Sequence, residues 1–267
     1  MPTDMQGKIL VMGVGWVGGT VARWLESQGL APRMYDPPKG LGSDADLAAA
    51  DTIIICLPTP YDDAKGGFDL SYVESGVAAL QGSKIIVIKS TVLPGTTDAL
   101  QAKYPQHVFL FNPEFLRQAS ADADFAHPDR QIVGARKEHR AQAEAFLALL
   151  PPAPFSKIVT PMEAETVKYF GNCFLATKVV FANQLFDLCA AIGVEYDAVK
   201  DCAGADPRIG TGHLQVLHDG YRGYGGSCFP KDMRALIQLG DRVGAPLVLL
   251  KEAERLNNET IARNPKQ

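Results

Sequence analysis

The sequence predicts an α/β fold, with a doubly wound parallel sheet in residues 1–160 and an all-helical domain in residues 161–267. Short apolar runs alternate with helical stretches through the first part, as strands joined by crossover helices do. Several of these runs are continuously apolar, which is typical of parallel strands covered on both faces. Residues 162–192, in contrast, form a long helical pattern without proline.

Seven predicted strands account for the apolar runs, and they are residues 8–12, 33–35, 52–57, 84–89, 108–111, 131–133 and 157–159. The proline-rich loop at residues 151–154 breaks the helix before it, which places the domain boundary near residue 160. Gly193 is expected to end the long helix. Further helices are expected from about Lys231 and within residues 245–264.

The composition is that of an ordinary globular protein, with 46% apolar and 21% charged residues. A net charge of −4 without a basic cluster predicts neither a nucleic-acid nor a membrane partner. No apolar run reaches the roughly 18 residues of a membrane span, and residues 1–8 lack a signal-peptide pattern. The five cysteines form no CxxC pair, which argues against disulfides or a metal site and favours the reducing cytoplasm.

A glycine-rich turn follows the first predicted strand and precedes a helical pattern. It reads Gly13-Val-Gly15-Trp-Val-Gly18, and its glycines let the backbone approach a pyrophosphate at the positive end of the helix. Asp36 ends the next strand about 20 residues on, where a carboxylate binds both ribose hydroxyls and repels the 2′-phosphate of NADP. The pattern therefore predicts a Rossmann-like NAD site. The alternatives are a glycine turn without a ligand and an Asp36 that is merely solvated.

Two polar segments follow neighbouring predicted strands. Thr91 lies directly after residues 84–89, and Glu114 lies shortly after residues 108–111, so both are expected at the carboxyl edge of the sheet, where ligands bind in this architecture. Glu114 can act as a proton-transfer group or simply as a charge at a helix N-terminus.

The long helix carries a lysine and an asparagine four residues apart. Lys168 and Asn172 therefore share one helical face, and Asn183 falls within about 60° of it. A lone lysine on a helix is usually solvated. The apolar residues around this pair indicate instead that it points into a cleft.

The segment Gly223-Tyr-Gly225-Gly226-Ser-Cys228-Phe-Pro-Lys-Asp232 has the character of a nucleophile loop. Its glycines keep the space over Cys228 open, and the following helix start and Lys231 favour a thiolate. Asp232 comes one turn later, where it can orient a water or Lys168. The other four cysteines are expected to be small buried apolar residues.

Four ordered motifs between residue 8 and about residue 232 resemble the UDP-glucose/GDP-mannose dehydrogenase family. They are Ser90-Thr91-Val-Leu-Pro-Gly-Thr-Thr, Asn112-Pro-Glu114-Phe-Leu-Arg117, Phe125-Ala-His-Pro-Asp-Arg130 and Gly-Gly-Ser-Cys228-Phe-Pro-Lys-Asp232. The resemblance implies that two NAD molecules act in turn to oxidise a sugar C6 alcohol to a carboxylate. In that reaction a cysteine thiolate captures the aldehyde as a thiohemiacetal, and water releases the acid from a thioester.

The resemblance also implies roles for single residues. Lys168 stabilises the oxyanion with help from Asn172, Asp232 and Thr91 position water, and Glu114 is the acid/base for thioester hydrolysis. The implied NAD-binding residues are Gly13, Gly15, Val17, Gly18, Asp36, Thr59, Pro60 and Thr91. The implied substrate-binding residues are Glu114, Phe115, Leu116, Arg117, Lys168, Asn172, Arg208, Tyr224 and Gly225. Arg208 resembles the arginine that reaches the sugar across the family's dimer interface, which implies a homodimer.

Members of the family normally carry a third domain that grips the nucleotide, and this chain is expected to lack it and to bind substrate more weakly. The cysteine motif and the stretch from Asp219 to Tyr224 favour UDP-glucose, with GDP-mannose or a UDP-N-acetylhexosamine as alternatives. Two further alternatives are a remnant that binds NAD without turnover and a β-hydroxyacid dehydrogenase of the 3-hydroxyisobutyrate type. The latter shares the lysine–asparagine pair but has no use for Cys228.

Overall fold

The computed structural model describes residues 8–62, 67–218 and 220–264, apart from the side chain of Gln118. Residues 1–7 of the N-terminal segment that lacks a signal-peptide pattern, and Asp219, therefore lie outside the described residues. The chain divides into two compact units, Met1–Lys168 and Tyr169–Gln267. The predicted domain boundary near residue 160 stays a prediction.

The first unit contains a seven-stranded sheet in the order β2-β1-β3-β6-β7-β8-β9 and a small hairpin of β4 and β5. Its strands are β1 (Ile9–Met12), β2 (Arg33–Tyr35), β3 (Thr52–Ile55), β4 (Tyr61–Asp62), β5 (Gly67–Phe68), β6 (Ile85–Ile88), β7 (Val108–Phe111), β8 (Arg130–Gly134) and β9 (Phe155–Val159). All seven predicted strands lie in the large sheet. The α/β fold class is confirmed.

One pairing differs from the predicted parallel sheet. Strand β8 runs antiparallel to β7 and pairs with it only at Phe111 and Gly134, whereas the remaining neighbours are parallel. The connection between β7 and β8 contains a 3-10 turn at Gln118–Ser120 and a short α-helix at Ala121–Ala126. Because β8 is antiparallel to β7, Arg130, the first residue of β8, starts at the edge of the sheet where β7 ends.

In the described part of this unit, six α-helices cover the two faces of the sheet, namely α1 (Trp16–Ser27), α2 (Asp44–Ala49), α3 (Ser71–Ala78), α4 (Thr96–Lys103), α5 (Ala121–Ala126) and α6 (Arg140–Leu147). Successive strand residues point to opposite faces. Thus Val11 and Val87 pack with α1, α5 and α6, while Met12 and Ile88 pack with α2, α3 and α4. Burial on both faces explains why β1, β6 and β7 are continuously apolar.

The second unit is mostly helical. Its elements are α7 (Pro161–Ile192, which begins in the first unit), α8 (Tyr196–Gly204), the hairpin β10 (Leu217–His218) and β11 (Tyr221–Arg222), α9 (Phe229–Arg242) and α10 (Val248–Arg263). The predicted long helix is confirmed, and Gly193 follows it with a φ of +73°, a left-handed conformation that suits glycine. Helix α8 and the hairpin were not predicted, because both are short.

Among the described residues, α7 is the one helix long and apolar enough to cross a membrane. Only 33% of its most apolar 18-residue window is buried. Length and composition alone are weak evidence, since the core helix of a soluble protein passes the same test. The predicted absence of a membrane partner therefore stays a prediction.

Candidate active site

The glycine turn after β1 has the geometry that a bound pyrophosphate requires. A Cβ on Gly13 would lie 2.7 Å from the Cys56 carbonyl oxygen, and one on Gly18 would lie 2.0 Å from the Gly13 oxygen. Neither position therefore accepts a side chain. A Cβ on Gly15, the N-cap of α1, would meet nothing within 4 Å. This open space at the start of a helix fits the pyrophosphate of a dinucleotide.

Asp36 lies beside that turn, as predicted. Its Oδ2 accepts a 2.8 Å hydrogen bond from the Val14 N–H, and Lys39 Nζ lies 3.6 Å from the same oxygen. Both of these contacts are made by Oδ2, and a ribose diol would bind at the other carboxylate oxygen. Val17 lies in the first turn of α1 and is half-buried. The residues present thus fit NAD.

We expect the substitutions Gly15→Ala and Gly18→Ala to separate cofactor binding from folding. Gly15→Ala should leave the unfolding free energy within about 1 kcal/mol of the wild-type value, because the space beside this glycine is open. The same substitution should weaken NAD binding, since the new methyl group occupies the space for the pyrophosphate. Gly18→Ala should destabilise the apoprotein, because backbone atoms lie in the way. Urea unfolding measures the stability of each variant, and calorimetric titration measures its NAD affinity. Equal unfolding free energies in the two variants would contradict the prediction.

Hydrogen bonds from two other parts of the chain hold the loop after β6. The Thr59 hydroxyl donates a 2.7 Å hydrogen bond to the Thr91 carbonyl oxygen. Further along, the buried Glu165 carboxylate accepts hydrogen bonds from the Gly95 N–H at 2.6 Å and from both the N–H and the hydroxyl of Thr97, at 2.8 and 2.6 Å. Burial raises the pKa of Glu165 above its usual range. These contacts fix the loop that carries Thr91. Pro60, which was also expected to bind NAD, is exposed.

Glu114 and Lys168 form a buried ion pair. Lys168 Nζ donates 2.7 Å hydrogen bonds to both Oε1 and the main-chain oxygen of Glu114. Glu114 Oε2 accepts from the Leu116 N–H at 2.9 Å, and the Lys168 and Glu114 side chains are only 6% and 8% exposed. Glu114 is therefore more than a charge at a helix N-terminus. A carboxylate and an ammonium group thus lie in one buried contact.

The three residues after Glu114 have different surroundings. Phe115 lies under the Arg130 guanidinium, 4.0 Å from the ring centroid, and Leu116 packs against the core of the sheet. Arg117 is exposed and binds Asp124 through its backbone N–H at 2.9 Å, Nε at 3.0 Å and Nη2 at 2.6 Å. That contact holds the pKa of Asp124 well below its usual range. For Arg117 to bind substrate, it would have to exchange this partner.

In the second unit, Asp232 is the buried centre of a polar group. Its Oδ2 accepts a 2.5 Å hydrogen bond from Asn172 Nδ2, and its Oδ1 accepts one of 2.7 Å from Lys231. Its side chain is 1% exposed. Lys231, which was expected to favour the Cys228 thiolate, is thus engaged by Asp232.

Cys228 is the N-cap of α9, as the sequence predicts for a residue just before a helix, and it is half-exposed. Gly226 has a φ of +74°, and a Cβ added to it would meet nothing within 4 Å. The space beside the loop that precedes Cys228 is therefore open. Burial raises the pKa of the Cys173 thiol to about 12. The prediction that the other four cysteines are buried is confirmed for Cys173 and Cys189, whereas Cys56 is half-buried and Cys202 is exposed.

Two buried asparagines anchor the loop before Cys228. Asn257 of α10 accepts from the Tyr224 N–H at 2.7 Å and donates to the Tyr224 carbonyl oxygen at 3.0 Å. Asn183 of α7 accepts two 3.0 Å hydrogen bonds from Arg222, one through its side chain and one through its main chain. Asn183 is therefore an anchor for the hairpin. Sequence reasoning missed Asn257, because only packing distinguishes it from exposed Asn258.

Asn257→Ala is expected to loosen this loop, with Asn258→Ala as the matched control. The substitution leaves the Tyr224 N–H and carbonyl oxygen without their buried partner, which costs about 1–3 kcal/mol of unfolding free energy. Denaturant unfolding measures that loss, and peptide mass spectrometry measures the alkylation rate of Cys228. Equal unfolding free energies in the two variants would contradict a clamp at Asn257.

The remaining predicted substrate residues of the second unit differ in exposure. The Arg208 side chain is 88% exposed and forms an ion pair with Asp206 at 2.6 Å. Tyr224 is buried against Phe229, and its hydroxyl has no hydrogen-bond partner among the described residues. A Cβ on Gly225 would lie 2.5 Å from the Tyr221 hydroxyl. Because the Tyr224 ring is buried and its backbone N–H and carbonyl oxygen are bound by Asn257, the structure gives no direct support for Tyr224 as a substrate contact.

Within the described ranges, no group of three or more His, Cys, Asp or Glu residues is arranged to hold a metal ion. The first unit defines a dinucleotide-binding α/β protein with a buried carboxylate–lysine pair. The second unit adds a cysteine at a helix start.

Comparison with known proteins identifies the family. The NAD-binding domain of the UDP-glucose/GDP-mannose dehydrogenase family matches residues 42–149, and its central domain matches residues 162–259. The chain belongs to this family, and NAD is its cofactor.

Individual relatives agree with that assignment. A UDP-glucose 6-dehydrogenase of Rhizobium meliloti is 35% identical over 226 residues, which cover 79% of this chain and 51% of that protein. The chain spans about half the length of the curated relatives it matches. The structure of a UDP-glucose dehydrogenase from Pyrobaculum islandicum has a TM-score of 0.81 and 32% identity, and it covers 97% of this chain and 70% of that one.

A 3-hydroxyisobutyrate dehydrogenase from Mycobacterium tuberculosis also matches, with a TM-score of 0.76 and 18% identity over 97% of this chain and 95% of that one. This likeness shows a shared fold alone.

Proposed function

We propose that this chain oxidises the C6 alcohol of a nucleotide sugar to a carboxylate through a thioester on Cys228, with UDP-glucose as the substrate. The observation that carries the proposal is the half-exposed Cys228 at the start of α9, within an open glycine loop. The names of the relatives support UDP-glucose. A β-hydroxyacid dehydrogenase is disfavoured, because a two-electron oxidation needs no nucleophilic thiol.

When bound, NAD would supply the hydride acceptor, and because each NAD accepts one hydride, two NAD molecules would bind in turn, one for each oxidation step. After the first step, the Cys228 thiolate adds to the aldehyde carbon, which forms a C–S bond and leaves a negative charge on the oxygen. Lys168 donates to that oxyanion, with Asn172 as a second donor. Loss of the second hydride from the same carbon gives the thioester.

Hydrolysis completes the reaction. Glu114 takes a proton from the attacking water, and Asp232 and Thr91 position that water. The C–S bond then breaks, the thiolate leaves, and the sugar carboxylate forms. Lys168 and Glu114 start from one buried ion pair, so the same contact supplies a donor for the oxyanion and a base for the water.

The test is NADH formation with UDP-glucose, GDP-mannose and UDP-N-acetylmannosamine, each alone. The proposal expects two NADH per UDP-glucose. Two NADH from another sugar alone would transfer the activity to that substrate. One NADH from a small hydroxy acid would support the β-hydroxyacid alternative, and NAD binding without NADH from any sugar would make this chain a binding protein without turnover.

We further propose that the active form is a homodimer in which α7 packs on a second copy of the chain. Large apolar side chains with exposed fractions of 51–75% follow one side of this helix, namely Phe170, Phe174, Phe181, Leu188 and Ile192. Such a continuous exposed stripe is typical of an interface. Its length along one helix favours a second copy, since the same surface then serves both partners. The exposed Arg208 would act in the partner's site.

Phe181→Asp is expected to convert the dimer into a 28.8 kDa monomer, because it places a charge in the apolar stripe. Ala190→Asp is the matched control, since Ala190 is also exposed but lies on the opposite side of the helix. Light scattering gives the mass of each variant. A wild-type monomer, or a dimer in both variants, would contradict the proposed interface.

A further inference from the structure

Lys89 is a buried lysine that the proposed reaction leaves unused. It follows β6 at the carboxyl edge of the sheet and is 3% exposed. Its Nζ donates a 2.5 Å hydrogen bond to Asn112 Oδ1 and lies 5.5 Å from the centroid of the Phe125 ring. Burying an ammonium with a neutral acceptor costs stability, so packing alone gives no reason for a lysine here.

Asn112 connects Lys89 to the strand ends around Glu114. Its Nδ2 donates a 2.7 Å hydrogen bond to the Ile132 carbonyl oxygen of β8, and its side chain is fully buried. The chain of contacts from Lys89 through Asn112 to Ile132 therefore crosses β7 just before the turn to Glu114. The position of Glu114 depends on that turn.

Among the described residues, three titratable groups face Lys89 from the surrounding elements. They are Cys56 after β3, Glu114 after β7 and Lys168 of α7. Burial lowers the pKa of Lys89 to about 8, while Cys56 and Glu114 act to raise it and Lys168 acts to lower it. Lys89 is thus charged below about pH 8 and neutral above it. In its charged form, Lys89 adds a further ammonium group near the contact between Lys168 and Glu114.

We propose that Lys89 is a positioning residue for the oxidation: held by Asn112, its ammonium adds a second positive charge beside the Glu114–Lys168 pair and so supports the negative charge that develops on the sugar oxygen. This inference rests on the proposed function. Charges interact strongly in buried surroundings, so the contribution requires no direct contact with the sugar. The charged form of Lys89 is the active one.

The first test needs no turnover. In protein labelled with 13C at lysine Cε, NMR resolves the Lys89 signal as the one lost in Lys89→Arg. It is expected to titrate near pH 8, well below the ordinary lysine value of about 10.4. Glu114→Gln should lower the midpoint further, because an attracting carboxylate is gone. Titration in the ordinary range, or a midpoint that Glu114→Gln leaves unmoved, would overturn the inference.

The second test is the pH dependence of kcat/KM for UDP-glucose. The wild type should lose kcat/KM as pH rises through about 8, because Lys89 loses its charge. Lys89→Met should lower kcat/KM at pH 7 on the order of 10-fold. Its kcat/KM should also lack the basic limb, which is the decrease above about pH 8 in the wild type. Lys89→Arg, which stays charged, should also lack it. A Lys89→Met variant with the wild-type limb would overturn the inference.

Lys84→Met is the matched control. Lys84 is another buried lysine at the opposite end of β6, where its Nζ donates to the Ala48 and Ala50 carbonyl oxygens at 2.8 and 2.5 Å. Its loss should cost stability and leave the basic limb of kcat/KM in place. If no sugar is oxidised, the proposed function fails, and the NMR titration alone decides whether Lys89 is coupled to Glu114.

Discussion

Cys228→Ser is expected to abolish sustained NADH formation from UDP-glucose while leaving NAD binding unchanged. A serine hydroxyl at this position cannot hold the aldehyde as a thioester, so the second oxidation loses its covalent intermediate. Loss of an essential nucleophile lowers turnover by at least about 10³-fold. The measurement is NADH formation over many turnovers, together with mass spectrometry of the wild-type peptide that carries the thioester.

Cys202→Ser is the matched control for this substitution, because Cys202 is an exposed cysteine of the same unit that has no role in the proposed chemistry. It should retain two NADH per sugar. A Cys228→Ser variant with the same stoichiometry would rule out the thioester route. Calorimetric NAD titration of both variants separates a loss of chemistry from a loss of fold.

The sequence was sufficient for those features that local chain chemistry determines. Continuous apolar runs predicted β1, β6 and β7, which are buried at every residue. The position of Cys228 at a helix start was also predictable, because glycines precede it and a proline follows within two residues.

Features that depend on neighbouring elements were not predictable from the sequence. The antiparallel direction of β8 rests on a single pair of residues, Phe111 and Gly134, and no local pattern encodes it. Lys89 stands at the end of an apolar run like any strand-terminal lysine. Its burial against Asn112 follows only from the register of β6 and β7. Similarly, the contact of Lys168 with Glu114 joins residues 54 positions apart.

Lys168→Met is expected to lower the unfolding free energy by about 3–5 kcal/mol, because it leaves the Glu114 carboxylate buried without its ammonium partner. Glu114→Gln should also be destabilising, since it leaves Lys168 and the nearby Lys89 without a compensating negative charge. Both variants should also lose turnover of UDP-glucose, because each removes one of the two groups proposed for the oxyanion and the water.

The double variant Lys168→Met with Glu114→Gln distinguishes a coupled pair from two independent losses. With both members of the pair neutral, its unfolding free energy should exceed the value expected from adding the two single losses, by about 1–3 kcal/mol. Turnover should not recover, because the oxyanion still lacks its ammonium and the water still lacks its base. Urea unfolding of the four proteins measures the coupling, and strictly additive losses would show that the buried contact contributes nothing as a pair. If the double variant is more stable than either single variant and still inactive, neutral residues at both positions suffice for folding. The ion pair is then needed for catalysis.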